Sequence, residues 1–217
     1  MVAVLVFLAI MFMVIVDIMI IRASKASAVA YAPLTSPPVF GKKSLLAPDE
    51  LLYSKSHIWL KKTNSGFLSG LDDFLLHTLG NVRIVNIVQP GSILRKGDVI
   101  MDVEFDSKKL TLRSPFSGKV VNSNITLLNK PLKDSYNNWI LEFESADLSV
   151  TDFISGEKVS SWLKEEFKRL KDFLSFETMN PLLEGVMMYD GGYVVEGVLS
   201  LLDEKGIRNF EDRFLRP

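Results

Sequence analysis

The chain contains no cysteine among its 217 residues. Disulfides, thiol nucleophiles and cysteine-ligated zinc or iron–sulfur centres are therefore excluded from this chain itself. Only two histidines are present, His57 and His77, too few for a convincing metal site of their own. The sequence also has no phosphate-binding loop, nucleophile–base pair or paired-carboxylate signature. The chain is therefore predicted not to be an enzyme, and any redox cofactor would have to belong to a partner.

An excess of charge of either sign is also lacking. The 25 basic and 26 acidic residues give a formal net charge of −1 at pH 7. This balance provides no bulk attraction for nucleic acid or for strongly acidic surfaces. The length suits one compact domain with appendages.

One long apolar run stands at the N-terminus. Val2 to Ile21 consists almost entirely of Val, Ile, Leu, Met, Phe and Ala, and about 20 such residues cross the hydrocarbon of a bilayer as a helix. No Lys or Arg precedes the run, so residues 1–22 are interpreted as an uncleaved, single-pass transmembrane anchor instead of a signal peptide. Because Arg22 and Lys25 both follow the run, the positive-inside tendency predicts the N-terminus outside and the globular domain in the cytoplasm.

Asp17 is the one carboxylate in this run. A charged group inside the hydrocarbon is costly, and two interpretations of it stay open. Asp17 either snorkels toward Arg22 and water, or it bonds to a partner helix or serves a proton path. Asp17 and Arg22 are therefore candidate interaction residues toward the bilayer and toward other membrane subunits.

The rest of the chain divides into three parts. Residues 23–49 are rich in Ala, Ser and Pro and are predicted to be a linker. Residues 50–145 alternate short strand patterns with Gly and Pro turns, which predicts a mainly β sandwich or barrel. A helix is expected from Trp162 to about Leu174, with Ser161 as its N-cap.

Residues 176–217 are predicted to form a helical C-terminal extension. Helices are expected over Val194–Glu204 and near residues 210–215. The extension carries apolar residues that need a surface to cover, and the sequence leaves open whether that surface is this domain or another subunit.

The most specific motif is a hairpin between Gly97 and Gly118, which reads GDVIMDVEFDSKKLTLRSPFSG. It resembles the lipoyl-bearing hairpin of the glycine cleavage system H protein family, whose pattern is roughly G-x(6)-E-S-x-K-A-x(5)-A-P-x-S-G. In that family the lysine of the pattern carries lipoic acid. The intervals from Gly97 to Glu104 and from Glu104 to Pro115 match without a gap.

Other segments resemble the same family in the same order. Tyr53–Trp59 is similar to its opening Y-[ST]-x-x-H-x-W strand, Gly70–Phe74 to its first turn, and Asn138–Phe143 to its late tryptophan strand. The resemblance implies a lipoyl-type and biotinyl-type barrel-sandwich hybrid, with residues 50–175 as the H-protein-like domain. His57 and Trp59 share one face of the opening strand and are interpreted as structural packing of a half-buried strand.

The motif departs from the family at its one chemical residue. The matching register puts Ser107 at the position of the lipoyl-lysine, and a hydroxyl cannot form the lipoyl amide. The expectation is a degenerate member that carries no lipoyl group and keeps the tip for its shape. Lys108 and Lys109 are the neighbouring tip amines, and Lys108 is expected to be exposed and to contribute little to stability.

Three functions compete on this evidence. The favoured one is a non-catalytic, membrane-anchored subunit that scaffolds or docks a larger membrane complex of redox type, with Ser107, Lys108 and Lys109 as interaction residues. The first alternative is a membrane-tethered lipoyl carrier that uses Lys108 to hold lipoic acid. The second is an export-pump adaptor, which also joins one membrane helix to a lipoyl-like domain.

Overall fold

The computed structural model describes residues 38–145, 148–177, 188–189 and 192–217. The predicted anchor, with Asp17 and Arg22, lies outside the described residues, as does the predicted linker up to residue 37. Within the described ranges, every helix is too short or too polar to span a bilayer.

The described part is mainly β with few helices, as the sequence predicted. Its strands in chain order are β1 (Val39–Phe40), β2 (Leu52–Tyr53), β3 (Ile58–Lys62), β4 (Phe67–Leu71), β5 (Val82–Ile87), β6 (Ile93–Leu94), β7 (Val99–Phe105), β8 (Lys108–Arg113), β9 (Gly118–Ser123), β10 (Leu141–Glu144), β11 (Met188–Tyr189) and β12 (Tyr193–Val195). Its helices are α1 (Asp73–Leu79), α2 (Lys158–Glu177) and α3 (Glu204–Phe214). Short 3-10 turns cover Ile125–Leu127, Val150–Asp152 and Val198–Leu201.

Two antiparallel sheets build the body. The larger has six strands in the order β2-β3-β4-β10-β9-β6, and the smaller has three in the order β5-β7-β8. A third sheet joins the two ends of the described chain, because β12 lies between β1 and β11. β1 therefore lies inside the segment 23–49 that the sequence assigned to a linker, so the end of that segment belongs to the folded body.

Alternation of side chains fixes how the smaller sheet faces the core. Val103, Phe105, Leu110 and Leu112 are all at most 1% exposed, whereas the residues between them reach solvent. Because successive strand side chains point to opposite faces, β7 and β8 present one apolar face inward and one polar face outward.

Helix α2 is longer than the sequence predicted. It begins at Lys158 and not after Ser161, so the N-cap assignment of Ser161 was wrong. The Ser161 hydroxyl instead donates to the Lys158 carbonyl within the first turn, at 2.9 Å. Val159 is 1% exposed and lies four residues before the buried Leu163, so the apolar face that docks on the core starts one turn earlier.

The C-terminal extension is not helical throughout, so the helix predicted over Val194–Glu204 was wrong. The β-branched residues Val194 and Val195 pair with Phe40 and Val39 of β1, and the following 3-10 turn ends before α3. Asp203 then caps α3 by accepting from the Gly206 amide at 2.7 Å.

The extension covers its own domain, which answers a question that the sequence left open. The apolar side chains that the sequence left without a surface are at most 7% exposed, and all except Val195 join the same core cluster as the two body sheets; they are Val195, Val198, Leu199, Leu202 and Ile207. The apolar area that the extension removes from water is therefore buried within one chain.

Candidate functional site

The hairpin tip is a tight two-residue turn. Asp106 and Ser107 have φ values of 44° and 68°, and Phe105 pairs directly with Lys108. Positive φ at both central residues suits the right-handed twist of the flanking strands. The tip is therefore shorter than the predicted Asp106–Lys109, because both lysines already belong to β8.

Ser107 is exposed at this turn and opens on a small concave surface, the tip groove. The groove has a volume of about 310 Å³ and lies between the hairpin tip and α3; it is lined by Ser107, Lys108, Lys109, Glu204, Ile207, Arg208 and Glu211. Its rim carries both signs of charge, and Arg208 NH1 lies 3.5 Å from Glu204 Oε2. The Ser107 hydroxyl offers no amine here, so this position does not fit a lipoyl attachment site.

Lys108 is half-buried and fully engaged with the chain's own backbone. Its Nζ donates to the carbonyl oxygens of Ser200 and Leu202, each at 2.5 Å. These carbonyls lie at the end of the 3-10 turn Val198–Leu201, where backbone acceptors lack partners within the turn and favour a cation. The expectation of a freely exposed Lys108 was therefore wrong, and its amine does not fit a free carrier arm either.

Lys109 and Glu104 lie on the outer face of the smaller sheet. They are cross-strand partners, and Glu104 Oε2 also lies 3.9 Å from Arg83 NH2 on β5. Lys109 is exposed, and pairs of this kind contribute little to stability. Glu104, which matches the family glutamate, is thus one member of a surface charge ladder.

The β8 edge of the smaller sheet lies against α3. The backbone amide of Thr111 on β8 donates to Glu211 Oε1 on α3, at 3.1 Å. This bond satisfies one backbone donor of the edge strand, and a helix over an edge hinders its pairing with another chain. Sequence reasoning missed Glu211, since no local pattern links it to a strand 100 residues away.

Two glycines allow the extension to approach the end of α1. A Cβ atom at Gly80 would lie 2.7 Å from the Gly197 Cα, so only glycine fits at this contact. The Gly197 amide also donates to the His77 carbonyl at 2.8 Å. The extension is thereby held against α1 by backbone as well as by side chains.

His77, to which the sequence assigned no role, bridges α1 and the extension. Its Nε2 lies 3.5 Å from Asp73 Oδ2 and its Nδ1 lies 3.4 Å from Glu196 Oε1. Its ring stacks on Phe40 of β1, with the ring centroids 5.3 Å apart. The hydrogen bond to Asp73 raises the pKa of His77 above its usual range, with a further contribution from Glu196, although burial opposes the rise.

Asp73 shows the matching shift. Burial is the largest single influence and by itself would raise the pKa of this carboxyl group. Hydrogen bonds from His77, from the Leu46 amide and from the Ser135 hydroxyl together outweigh it, so the pKa of Asp73 is lowered. Both pKa shifts favour the charged forms of the pair.

His57, the histidine of the opening motif, is fully buried. Its Nδ1 lies 2.7 Å from Asp72 Oδ2, and its ring stacks between Phe74 and Trp162. Asp72 also caps α1 by accepting from the Leu75 amide at 2.9 Å. His57 therefore connects the start of β3 to α1 and α2. No atom of its side chain is exposed to a ligand.

Metal chemistry finds no support in the described residues. No group of three or more histidine or carboxylate side chains within those ranges could hold a metal ion.

Most of the body, including the hairpin, falls within a match to one known family. The model of the Glycine cleavage H-protein family matches residues 51–166, more than half of the chain. The chain belongs to the glycine cleavage H-protein family. That match ends at residue 166, so α3 and the other extension residues that cover the tip lie beyond it.

Individual relatives with similar sequences are also named as H proteins. The chain is 31% identical over 120 residues to the glycine cleavage system H protein of Thermoanaerobacter sp. (strain X514), which covers 54% of this chain and 95% of the relative. It is 33% identical over 109 residues to that of Listeria welshimeri, covering 47% and 87% respectively. A solved H-protein structure from Mycobacterium marinum is similar at 16% identity with a TM-score of 0.43, covering 54% of this chain and 98% of that one.

Proposed function

We propose that this chain is a non-catalytic, non-lipoylated H-protein-like subunit that scaffolds or docks a larger membrane complex of redox type. Residues 1–22 anchor it in the bilayer, and its globular domain lies in the cytoplasm. The observation that carries the proposal is the state of the tip: the Lys108 amine is bound to the carbonyls of Ser200 and Leu202. Motif spacing predicts that the neighbouring Ser107 takes the position of the carrier lysine.

A carrier needs an amine that a ligase and several active sites can reach in turn. In this chain the Lys108 amine donates to two carbonyls of the extension, and α3 lies along the adjoining strand edge. Extending an arm from Lys108 would first require breaking both contacts and leaving the two carbonyls without these donors. The tip therefore suits a fixed shape better than a swinging arm.

The mass of the native chain tests this directly. The chain would be purified from its native membranes in mild detergent, and its intact mass would be compared with the mass calculated from the sequence. We expect no increase equal to one lipoyl group. A lipoyl adduct on Lys108 would overturn the proposal.

A matched variant keeps a negative result informative. Ser107→Lys restores the spacing between Glu104 and a lysine that the family motif has, and Ser107 is exposed. We expect a lipoyl ligase to modify Ser107→Lys in vitro and to leave the native chain unmodified under the same conditions. Modification of both proteins at Lys108 would favour the carrier function instead.

The membrane-tethered lipoyl carrier is the alternative that family membership favours, because the curated relatives are named as H proteins. It requires that Lys108 leave its carbonyl partners and accept the lipoyl group. It therefore predicts loss of modification and of activity of the assembled complex in Lys108→Arg, whereas the scaffold function predicts neither.

The export-pump adaptor has less support. Such adaptors carry long coiled-coil hairpins, whereas the longest helix in the described ranges is α2, with 20 residues, and its apolar face packs on the body.

Topology and assembly are tested separately from lipoylation. Protease added to the cytoplasmic face of sealed vesicles should digest the chain beyond Arg22, and full protection would reverse the orientation. In mild detergent the chain should co-purify with integral membrane subunits at fixed stoichiometry, and its deletion should reduce the amount of assembled complex. A chain that elutes as a free monomer from native membranes would contradict the scaffold function.

A further inference from the structure

A second concave surface, away from the tip, has lysines as half of its lining residues. This surface, the lysine groove, has a volume of about 620 Å³ and carries the side chains of Lys42, Lys43, Lys164, Lys168 and Lys171, with Tyr193 at its side. Asp172 is the one carboxylate in its lining. None of the features assigned to the family hairpin lies in it.

The fold brings these lysines together from distant parts of the chain. Lys164, Lys168 and Lys171 follow one face of α2, because residues three and four apart on a helix are neighbours. Lys42 and Lys43 lie in a turn after β1, which the Ser44 hydroxyl fixes by bonding both the amide and the carbonyl of Gly41, each at 2.8 Å. The pairing of β1 with β12 adds Tyr193.

The concentration of positive charge is local, since the whole chain has a formal net charge of −1. Like charges one helical turn apart destabilise a helix, so the spacing of Lys164, Lys168 and Lys171 is unfavourable by itself. Among the described residues, none of the five lysines forms an ion pair. A concave surface lined by one sign of charge focuses the potential and attracts ligands of the opposite sign.

The position of the groove along the chain indicates which anionic ligand it binds. Lys42 lies two residues after β1, where the chain enters the domain from the N-terminal side. The predicted anchor ends at residue 22, and the roughly 20 residues from there to Lys42 would span on the order of 25 Å as a random coil. Clusters of four to eight basic residues next to a membrane helix on its cytoplasmic side bind anionic lipids.

The geometry and charge point to one occupant: the lysine groove binds the phosphate groups of anionic phospholipids and holds the domain against the membrane surface. Tyr193 is 44% exposed and suits the same interface, because its ring is apolar and its hydroxyl is polar. The choice of a bilayer over a soluble phosphate compound rests on the proposed function, which supplies the anchor.

The test uses the full chain in lipid nanodiscs. One set contains phosphatidylcholine alone, and the other contains phosphatidylcholine with phosphatidylglycerol at three to one. A water-soluble acylating reagent labels exposed amines, and mass spectrometry gives the rate at each lysine. We expect the five groove lysines to label at least threefold more slowly in the anionic discs, and the exposed Lys61, Lys62 and Lys130 to label equally in both.

Salt and charge variants sharpen the result. At 1 M salt, where the screening length falls to about 3 Å, the protection should disappear. The triple variant Lys164→Gln, Lys168→Gln, Lys171→Gln should lose the protection of Lys42 and Lys43 in anionic discs. The matched variant Lys61→Gln, Lys62→Gln, Lys130→Gln removes the same charge elsewhere and should keep it.

The outcomes separate the groove from the anchor. A chain that enters both kinds of disc but labels equally in them would overturn the groove and leave the anchor standing. A chain that enters neither disc would overturn the anchor, and with it the bilayer as occupant. Equal protection of the detergent-solubilised chain by free glycerol 3-phosphate or ATP would make the groove a soluble phosphate site and would also overturn the proposal.

Discussion

Two edge strands of the body, β8 of the smaller sheet and β6 of the larger, are protected in different ways. Along β8 the edge lies under α3, with the Thr111 amide bonded to Glu211. Along β6 the edge strand is only two residues long, and Ile93 is 81% exposed in it. Short, charged edges and covered edges are alternative protections against pairing with another chain.

The difference between the two edges shows which of them the C-terminal extension covers. The open edge is protected by its short length and by the exposed Arg95 and Lys96 that follow it. The covered edge takes an extension that lies beyond the family match, and this extension also binds Lys108 beside the hairpin turn. The chain therefore adds its C-terminal structure at the end of the hairpin where the family motif carries its chemistry.

The same substitution at the two edges gives the sharpest test of this comparison. Ile207 of α3 is 6% exposed and Ile93 of β6 is 81% exposed. Ile207→Ala should lower the free energy of unfolding by about 2–3 kcal/mol, because it removes buried methyl groups and leaves a cavity. Ile93→Ala should change it by less than about 0.5 kcal/mol.

Urea unfolding of the full chain in mild detergent, followed by tryptophan fluorescence, measures both. Equal effects of Ile207→Ala and Ile93→Ala would mean that α3 does not protect the β8 edge in solution.

The second prediction concerns the Lys108 amine. Lys108→Met keeps an apolar stem of similar length but leaves the carbonyls of Ser200 and Leu202 without this donor, so the free energy of unfolding should fall by about 1–3 kcal/mol. Lys109→Met is the control, since Lys109 is exposed on the same strand and should cost under about 0.5 kcal/mol. Urea unfolding measures both, and a neutral Lys108→Met would show that its amine is free in solution.

The third prediction concerns the covered edge itself. Glu211→Ala removes the acceptor of the Thr111 amide and should cost about 1 kcal/mol. Amide hydrogen exchange at Thr111 should become faster, while the pairing of β7 with β8 is retained. Asp212→Ala, one residue along α3 and exposed, should leave the exchange of Thr111 unchanged. Unaltered exchange in Glu211→Ala would argue against the contact.

The smallest expected effect is the pH dependence of the extension's attachment. The pKa of His77 is raised by Asp73 and Glu196, so protonated His77 is favoured in the folded state. The stabilisation is fully present below the unfolded pKa of about 6.5 and is lost as pH rises through the higher folded value. Because Glu196 is 37% exposed, the contribution should stay below about 1 kcal/mol.

The measurement compares the native chain with His77→Gln at pH 6 and pH 9. The native chain should lose its stability advantage over His77→Gln between these two values. If the stability difference between the two proteins stayed constant from pH 6 to pH 9, contacts other than the charge of His77 would hold the extension in place.

Much of the body could be predicted because its signals are local. The alternation in β7 and β8, the turn residues between them and the opening motif around His57 are each read within a few positions of the sequence. The replacement of the carrier lysine by Ser107 rests on motif spacing alone. The start of α2 was missed because the burial of Val159 depends on the surface it meets, which the sequence around it does not show.

Tertiary structure decided what happens around the tip. The partners of Lys108 lie 92 and 94 residues away, and the strand register of Val194 and Val195 comes from β1 at the opposite end of the described chain. The lysine groove likewise needs β1, β12 and α2 together. Hydrophobic period and turn chemistry fix which segments become strands and helices, but only the folded path of the chain decides which distant segments meet, because those contacts depend on packing that no local pattern contains.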